Sequence, residues 1–120
     1  MINQEFVVVS AKRTAVGRFG GSLKTFSSLG VAAAVIRDAL ESTGLGNDTV
    51  DEVVMGEVRQ STESSNVARV AGLRAGLSLE TPAYTINRLC ASGMQAVVSG
   101  VQHLAFHPEE IVITGGTENM

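Results

Sequence analysis

The sequence of 120 residues predicts an α/β fold, with a mostly parallel sheet and crossover helices. Short apolar runs alternate with segments of helical periodicity, which is the pattern of repeated right-handed crossovers. Hydrophobic residues make up 44% of the chain and charged residues 18%, as in a compact globular domain. No repeat, low-complexity tract or interdomain linker divides the sequence, so we interpret residues 1–120 as one domain.

The first apolar run, Phe6–Ser10, is rich in β-branched residues and predicts a strand covered on both faces. A loop, Ala11–Thr25, follows it and contains glycines at positions 17, 20 and 21. Their spacing fits neither the dinucleotide-binding fingerprint nor the phosphate loop that ends in Lys-Ser/Thr. A plain connecting loop is therefore favoured over a phosphate cradle.

The first helix is predicted to begin at a cap formed by Ser27 or Ser28 and to stop at Gly44. Residues at helical spacing place one apolar face toward the core. That face consists of Leu29, Ala32, Ala33, Ile36, Ala39 and Leu40. The segment has the length and pattern of a crossover helix between two parallel strands.

The middle of the chain repeats this unit. Val50–Gly56 predicts a second strand, and Asn66–Ala75 predicts a second helix that Gly76 ends. The helical spacing is carried by Val67, Val70, Ala71 and Arg74. Pro82 then opens a third predicted strand, Ala83–Asn87.

The third helix is predicted over Ser92–Phe106, and a fourth strand over Glu110–Thr114 is followed by Gly115 and Gly116. One stripe of the helix is apolar and comprises Met94, Val97, Val98, Val101, Leu104 and Ala105. Its other positions are mainly Ala, Ser and Gly, which allow close approach of a neighbouring backbone. We therefore expect this helix to be buried on more than one side.

Composition excludes several classes of function. A net charge of −3 and a pI near 5.3 provide no basic surface for nucleic acid, and 4% aromatic residues without Trp provide no platform for stacking bases. One Cys forms no internal disulfide, and no Cys/His cluster has the spacing of a metal site. The apolar run at residues 6–9 is too short for a signal peptide or a membrane span. A cytoplasmic protein without a membrane partner is the expectation.

Cys90 is the candidate catalytic residue. It lies between a predicted strand and a predicted helix, where ligands of α/β sheets collect and where free helical N–H groups and the helix dipole favour a thiolate. The same N–H groups suit an oxyanion formed during acyl transfer. The alternative is that this lone cysteine is a small apolar residue that fills the core of a noncatalytic binding module.

The chain offers no evident base for Cys90. His103 follows it by 13 residues (103 − 90), or about 20 Å of helix, and His107 is farther away. We expect both histidines to be solvated near the helix C-terminus. The carboxylates at predicted helix ends and turns are also expected to be solvated, namely Glu41, Asp48, Asp51, Glu52, Glu109 and Glu110. Ser92 is a second possible nucleophile, but its position is more typical of a helix cap.

The ten residues Asn87–Ala96 match Asn-x-x-Cys-x-Ser-Gly-x-x-Ala, the signature around the acylated cysteine of the thiolases. Further agreement lies in the segments 9–14, 17–21, 50–56 and 115–120. The chain thus resembles the thiolase family, in the acetyl-CoA acetyltransferase and 3-ketoacyl-CoA thiolase group, over its whole length. It departs from the family at Ala15, where Pro is usual, and at Gln60–Ser65, which is richer in Ser and Glu than the usual glycine-containing loop.

This resemblance implies a thiolase-like fold in which the chain is an incomplete N-terminal half. The coenzyme A-binding loop domain and a C-terminal half with two histidines and a second cysteine would follow Met120. It also implies that Cys90 is acylated by acyl-CoA thioesters, with its own N–H as an oxyanion donor, in acetoacetyl-CoA synthesis or thiolysis. No tightly bound cofactor and no metal are implied. The chain alone is expected to be inactive because the base is absent.

The resemblance further implies a homodimer or a tetramer. It also implies that the third helix lies between two halves of the enzyme, so that one of its sides lacks cover here. The nearest alternative enzyme class is the ketoacyl synthase type of condensing enzyme, which takes acyl groups from a carrier protein. Asn87 and the Ser92-Gly93 pair favour a thiolase.

Overall fold

The computed structural model describes residues 3–120, in which helices and strands alternate as predicted. The elements are α1 (Ser28–Glu41), β1 (Glu52–Gly56), α2 (Val67–Ala75), β2 (Ala83–Ile86), α3 (Ser92–Phe106) and β3 (Val112–Gly116). The strands form a parallel sheet in the order β2-β1-β3. The predicted α/β class is confirmed.

The caps of α1 and α2 follow the sequence signals. The Ser27 hydroxyl accepts a hydrogen bond from the N–H of Gly30 at 3.0 Å, so Ser27 is the N-cap of α1. α1 ends at Glu41, and Gly44 adopts the left-handed conformation with φ +73° in the turn beyond it. Asn66 caps α2 in the same way as Ser27 caps α1, and Gly76 ends α2 with φ +97°.

β1 is the central strand, and its side chains reach both faces of the sheet. Val53 and Met55 belong to the core that α1 and α2 cover. Because side chains alternate along a strand, Val54 faces the opposite side, where α3 packs on β1 and β3. These three side chains are at most 1% exposed, so β1 is covered on both faces by crossover helices.

The prediction of a first strand at Phe6–Ser10 is wrong. Phe6–Ser10 has no regular secondary structure, and Val7, Val8 and Val9 are 72%, 82% and 67% exposed. An apolar run becomes a strand only when a neighbour supplies hydrogen bonds, and within residues 3–120 no strand pairs with this segment. The loop from Ala11 to Thr25 is exposed over most of its length and contains turns, in agreement with a plain connection.

The other strands differ from prediction only at their ends. β1 begins at Glu52 and not at Val50, and β2 ends at Ile86. The last strand is shifted toward the C-terminus because its pairing with β1 places Val112 beside Glu52 and Gly116 beside Gly56. The two glycines that were predicted to follow this strand are part of it.

α3 has the predicted bounds, but only its small-residue face is buried. Ser92, Ala96 and Gly100 lie against the sheet, and a Cβ atom on Gly100 would stand 2.5 Å from Cγ2 of Thr114. The apolar stripe faces outward, with exposed fractions of 75% for Met94 and 48% for Val97. Burial on more than one side is therefore wrong for residues 3–120, whereas the inferred close approach is confirmed.

Glu57, which directly follows β1, is only 1% exposed. Its Oε1 accepts a hydrogen bond from the Ser28 hydroxyl, and its Oε2 has no partner within residues 3–120. Burial raises the pKa of Glu57 above its ordinary value of 4.5; the Ser28 hydrogen bond lowers it, and the nearby charge of Glu118 raises it further. Ionised Glu57 is thus unfavourable in the folded chain.

We predict that Gly100→Ala destabilises the chain although Ala is the better helix former. The new methyl group must displace Thr114, and overpacking of this kind costs roughly 1–3 kcal/mol. Gly93→Ala is the matched control, because a Cβ atom there meets nothing closer than Cα of Gly116 at 3.9 Å. Urea denaturation that found Gly100→Ala as stable as Gly93→Ala would contradict the close packing.

We predict that Glu57→Gln changes the pH dependence of stability. Because the folded-state pKa is raised, wild-type stability is fully present below about 4.5 and is lost as the pH rises through the folded-state pKa. The Gln variant lacks this loss, so its free energy of unfolding relative to wild type should increase with pH. Exposed Glu109→Gln serves as control. A difference between wild type and Glu57→Gln that is constant with pH would refute the prediction.

We predict that the 120-residue chain self-associates through the outward stripe of α3, because a contiguous exposed apolar surface is a typical contact site. Val97→Glu places a charge in this stripe and should shift the sedimentation profile toward monomer. Gln102→Glu adds the same charge on an exposed position of α3 and should have no such effect. A monodisperse wild-type monomer in sedimentation velocity would show the prediction to be wrong.

Candidate active site

Cys90 lies at the edge of the sheet where the parallel strands end. β2 ends at Ile86, and α3 begins at Ser92, so the cysteine occupies the connecting turn. Its side chain is exposed rather than packed in the core. The structure thus places Cys90 at a strand–helix junction, as the sequence predicts, and it removes the reason to interpret this residue as core filling.

Glycines bring the start of α3 directly onto the ends of two strands. A Cβ atom on Gly56, the last residue of β1, would stand 2.5 Å from the carbonyl carbon of Ser92. A Cβ atom on Gly116, at the end of β3, would stand 3.1 Å from Cα of Gly93. The first contact leaves no room for a Cβ atom, and the second would require the neighbouring backbone to shift by a few tenths of an ångström. The N-terminal end of α3, with its partial positive charge, is therefore fixed beside Cys90.

The backbone before Cys90 is strained. Leu89 has φ +49°, the left-handed region that costs a residue with a Cβ atom roughly 1–2 kcal/mol. Two side chains hold it there. Oδ1 of Asn87 accepts the Leu89 N–H at 3.0 Å, and the Ser92 hydroxyl donates to the Leu89 carbonyl at 2.6 Å. The peptide groups on both sides of the strained residue are thus hydrogen-bonded.

The Ser92 side chain is buried and does not occupy the N-cap position of α3. It is 4% exposed, and its oxygen also accepts the N–H of Arg88 at 2.8 Å. The N-cap position of α3 belongs to Ala91, which makes no side-chain cap bond. The expectation that Ser92 is a cap is corrected: its hydroxyl holds the turn that precedes the helix, because the turn folds back over it.

The histidines lie at the other end of α3, so neither contacts Cys90, as expected. Their predicted solvation is wrong for His103. Nδ1 of His103 is 2.8 Å from the Glu52 carboxylate and Nε2 is 2.5 Å from that of Glu110, while its ring stacks on His107 at 4.7 Å. Periodicity alone does not reveal these contacts, because Glu52 and Glu110 come from different elements.

Two carboxylates at the cysteine end of the sheet escaped sequence reasoning. Glu57 is the buried residue after β1, and Glu118 follows β3 and accepts the N–H groups of Val58 and Arg59. The signal for them is their position directly after a strand in a parallel sheet. Within residues 3–120, no group of three or more His, Cys, Asp or Glu residues can hold a metal ion.

No helix among the described residues has the length and apolarity needed to cross a membrane.

The candidate site consists of an exposed thiol at the N-terminal end of a helix, in a strained turn that buried or backbone-directed polar groups hold in place. Such an arrangement suits nucleophilic attack followed by stabilisation of an oxyanion.

Comparisons with known proteins agree with this arrangement. The family described as "Thiolase, N-terminal domain" matches residues 6–120. Over 114 residues the chain is 47% identical to a bovine protein named "3-ketoacyl-CoA thiolase, mitochondrial", with 94% of this chain and 29% of that protein covered. It is 44% identical over 117 residues to an acetyl-CoA acetyltransferase of Pseudomonas aeruginosa, with 98% and 30% covered.

The fold is also similar to that of a solved structure. The crystal structure of the Bacillus anthracis acetyl-CoA acetyltransferase superposes with a TM-score of 0.87 and 38% sequence identity, covering 92% of this chain and 28% of that one. The chain thus spans less than a third of the length of the relatives it matches. The family match, the sequence identity and the shared fold show that this chain belongs to the thiolase family, in which it corresponds to the N-terminal domain.

Proposed function

We propose that this protein transfers acyl groups of acyl-CoA thioesters through a covalent intermediate on Cys90, in acetoacetyl-CoA synthesis or thiolysis. The observation that carries the proposal is the exposed thiol in a constrained turn at the start of α3. The names of its relatives, acetyl-CoA acetyltransferase and 3-ketoacyl-CoA thiolase, support the substrate class.

The first half reaction forms the acyl-cysteine. The Cys90 thiolate attacks the carbonyl carbon of the acyl donor, and a new C–S bond forms. Collapse of the tetrahedral intermediate breaks the bond from the acyl carbon to the sulfur of coenzyme A in synthesis, or to the α-carbon of acetyl-CoA in thiolysis, and the leaving group gains a proton. In the second half reaction a base removes a proton from the methyl group of acetyl-CoA in synthesis, or from the thiol of coenzyme A in thiolysis. The resulting nucleophile takes the acyl group, and Cys90 leaves as a thiolate. Two half reactions through one intermediate imply ping-pong kinetics.

The turn supports both the attack and the charge that follows. Cys90 precedes α3 by two residues, so a tetrahedral oxyanion on its substrate lies near the positive end of the helix dipole. We propose that the N–H of Cys90 donates to this oxyanion. A preorganised donor of this kind is worth roughly 3–4 kcal/mol in acyl transfer.

We propose that the general base comes from outside these residues. Both histidines of the chain are at the far end of α3, where carboxylates bind His103. We therefore propose that the 120 residues alone do not turn over, and that they act within a longer chain that forms a homodimer or tetramer in the cytoplasm. The coverage of about 30% of an acetyl-CoA acetyltransferase supports this proposal.

In the full-length protein, we expect Cys90→Ser to lower the rate of acetoacetyl-CoA thiolysis by roughly 10³-fold or more, because a hydroxyl is a much weaker nucleophile than a thiolate. Mass spectrometry should find an acetyl group on the wild-type Cys90 peptide after incubation with acetyl-CoA. Gln102→Ala on the exposed side of α3 is the control and should keep its activity. Near-normal thiolysis by Cys90→Ser would assign the nucleophile to another residue.

A further inference from the structure

Glu118 is connected to the turn of Cys90 through the residues that follow β1. Its two carboxylate oxygens accept different backbone donors, the N–H of Val58 at 2.8 Å and the N–H of Arg59 at 3.1 Å. The Thr117 N–H also donates to the Gly56 carbonyl at 3.0 Å, which holds the residue before Glu118 against the end of β1. The carboxylate therefore fixes the backbone at residues 58–59 from one side.

The same backbone segment is held from the other side by the cysteine turn. The Val58 carbonyl accepts Nδ2 of Asn87 at 3.3 Å. Oδ1 of Asn87 in turn accepts the N–H of Leu89, the residue with φ +49°. Asn87 thus uses both ends of its amide, one toward the segment that Glu118 holds and one toward the strained residue before Cys90.

The two carboxylates of this cluster differ in their hydrogen bonds. Its carboxylate receives two N–H donors, and such charge-assisted hydrogen bonds are roughly twice as strong as neutral ones. Glu57 makes a single hydrogen bond, from Ser28, and burial raises its pKa. Glu118 is therefore the carboxylate that holds residues 58–59, and its proximity further raises the pKa of Glu57.

We propose that Glu118 is a positioning residue for the acylation of Cys90, acting through residues 58–59 and Asn87. The inference rests on the proposed acyl transfer. Without the carboxylate, residues 58–59 lose their anchor, and Asn87 loses the fixed carbonyl that orients its amide. Leu89 can then relax from the left-handed region, and Cys90 moves with it. A displacement of about 1 Å at a reacting atom can cost 10²-fold in rate.

The test is Glu118→Gln in the full-length protein. Gln has the same shape, but its amide nitrogen replaces one of the two acceptor oxygens, so one of the contacts to Val58 and Arg59 is lost. In single-turnover reactions with acetyl-CoA, we expect acetylation of Cys90 to slow by roughly 10- to 100-fold, with half-saturation by acetyl-CoA unchanged. Glu109→Gln, an exposed carboxylate before β3, should acetylate at the wild-type rate.

Two readouts separate positioning from general destabilisation. The melting temperature of Glu118→Gln should stay within a few degrees of wild type, while hydrogen exchange at the Leu89 amide should become faster. Asn87→Ala should slow acetylation as well. Because both residues act along one path, the Glu118→Gln/Asn87→Ala double variant should be no slower than the slower single variant.

Each outcome decides the inference. Wild-type acetylation in Glu118→Gln, or slowing that multiplies in the double variant, overturns it. If Glu118→Gln does not fold, Glu118→Asp retains the charge on a shorter side chain; loss of folding there too makes the role structural and also overturns it. If the wild type itself is not acetylated, the proposed function fails. Hydrogen exchange at the Leu89 amide then still tests the connection from Glu118 through residues 58–59 and Asn87. Unchanged exchange in Glu118→Gln overturns this connection, and faster exchange supports it.

Discussion

The contact of the α3 backbone with the ends of β1 and β3 determines the geometry of this domain. At Gly56 the main chains meet at a distance that no Cβ atom tolerates, and at Gly116 a Cβ atom would stand only 3.1 Å from Cα of Gly93. The helix therefore begins at the sheet edge itself and not a side-chain layer above it. As a result, the residue two positions before α3 stands in the open with the helix N-terminus beside it.

This contact requires a sharp turn between β2 and α3, and the turn is strained at Leu89. Asn87 and Ser92 stabilise it through its own peptide groups, which explains why the residues around the cysteine have their particular spacing. Asn is three positions before Cys90 because from there its side chain reaches the N–H of Leu89. Ser is two positions after it because from there its hydroxyl reaches the Leu89 carbonyl, in the peptide group on the other side of the strained residue. The polar residues of the motif thus shape the backbone that precedes Cys90.

α3 is fixed at both of its ends, by different interactions. At its start the backbone rests on glycines, and near its end His103 is placed between the carboxylates of Glu52 and Glu110. The second contact joins α3 to the first residue of β1 and to the segment before β3. Between these points Gly100 lies against Thr114. The helix cannot slide along the sheet without breaking one of these contacts, which keeps Cys90 at the sheet edge.

The sequence by itself determined the order of elements from the first helix onward, a serine cap at residue 27 or 28, the stop of α2 at Gly76, and the position of Cys90 before a helix. These features depend on local periodicity, backbone preferences and a short motif, which neighbouring residues carry. Only the tertiary structure decided that Phe6–Ser10 is unpaired, because a strand requires a partner from elsewhere in the chain. It also decided that His103 meets Glu52 and Glu110, and that Glu118 accepts the N–H groups of Val58 and Arg59. Those contacts join residues up to 60 positions apart, and their partners are set by the register of the parallel strands.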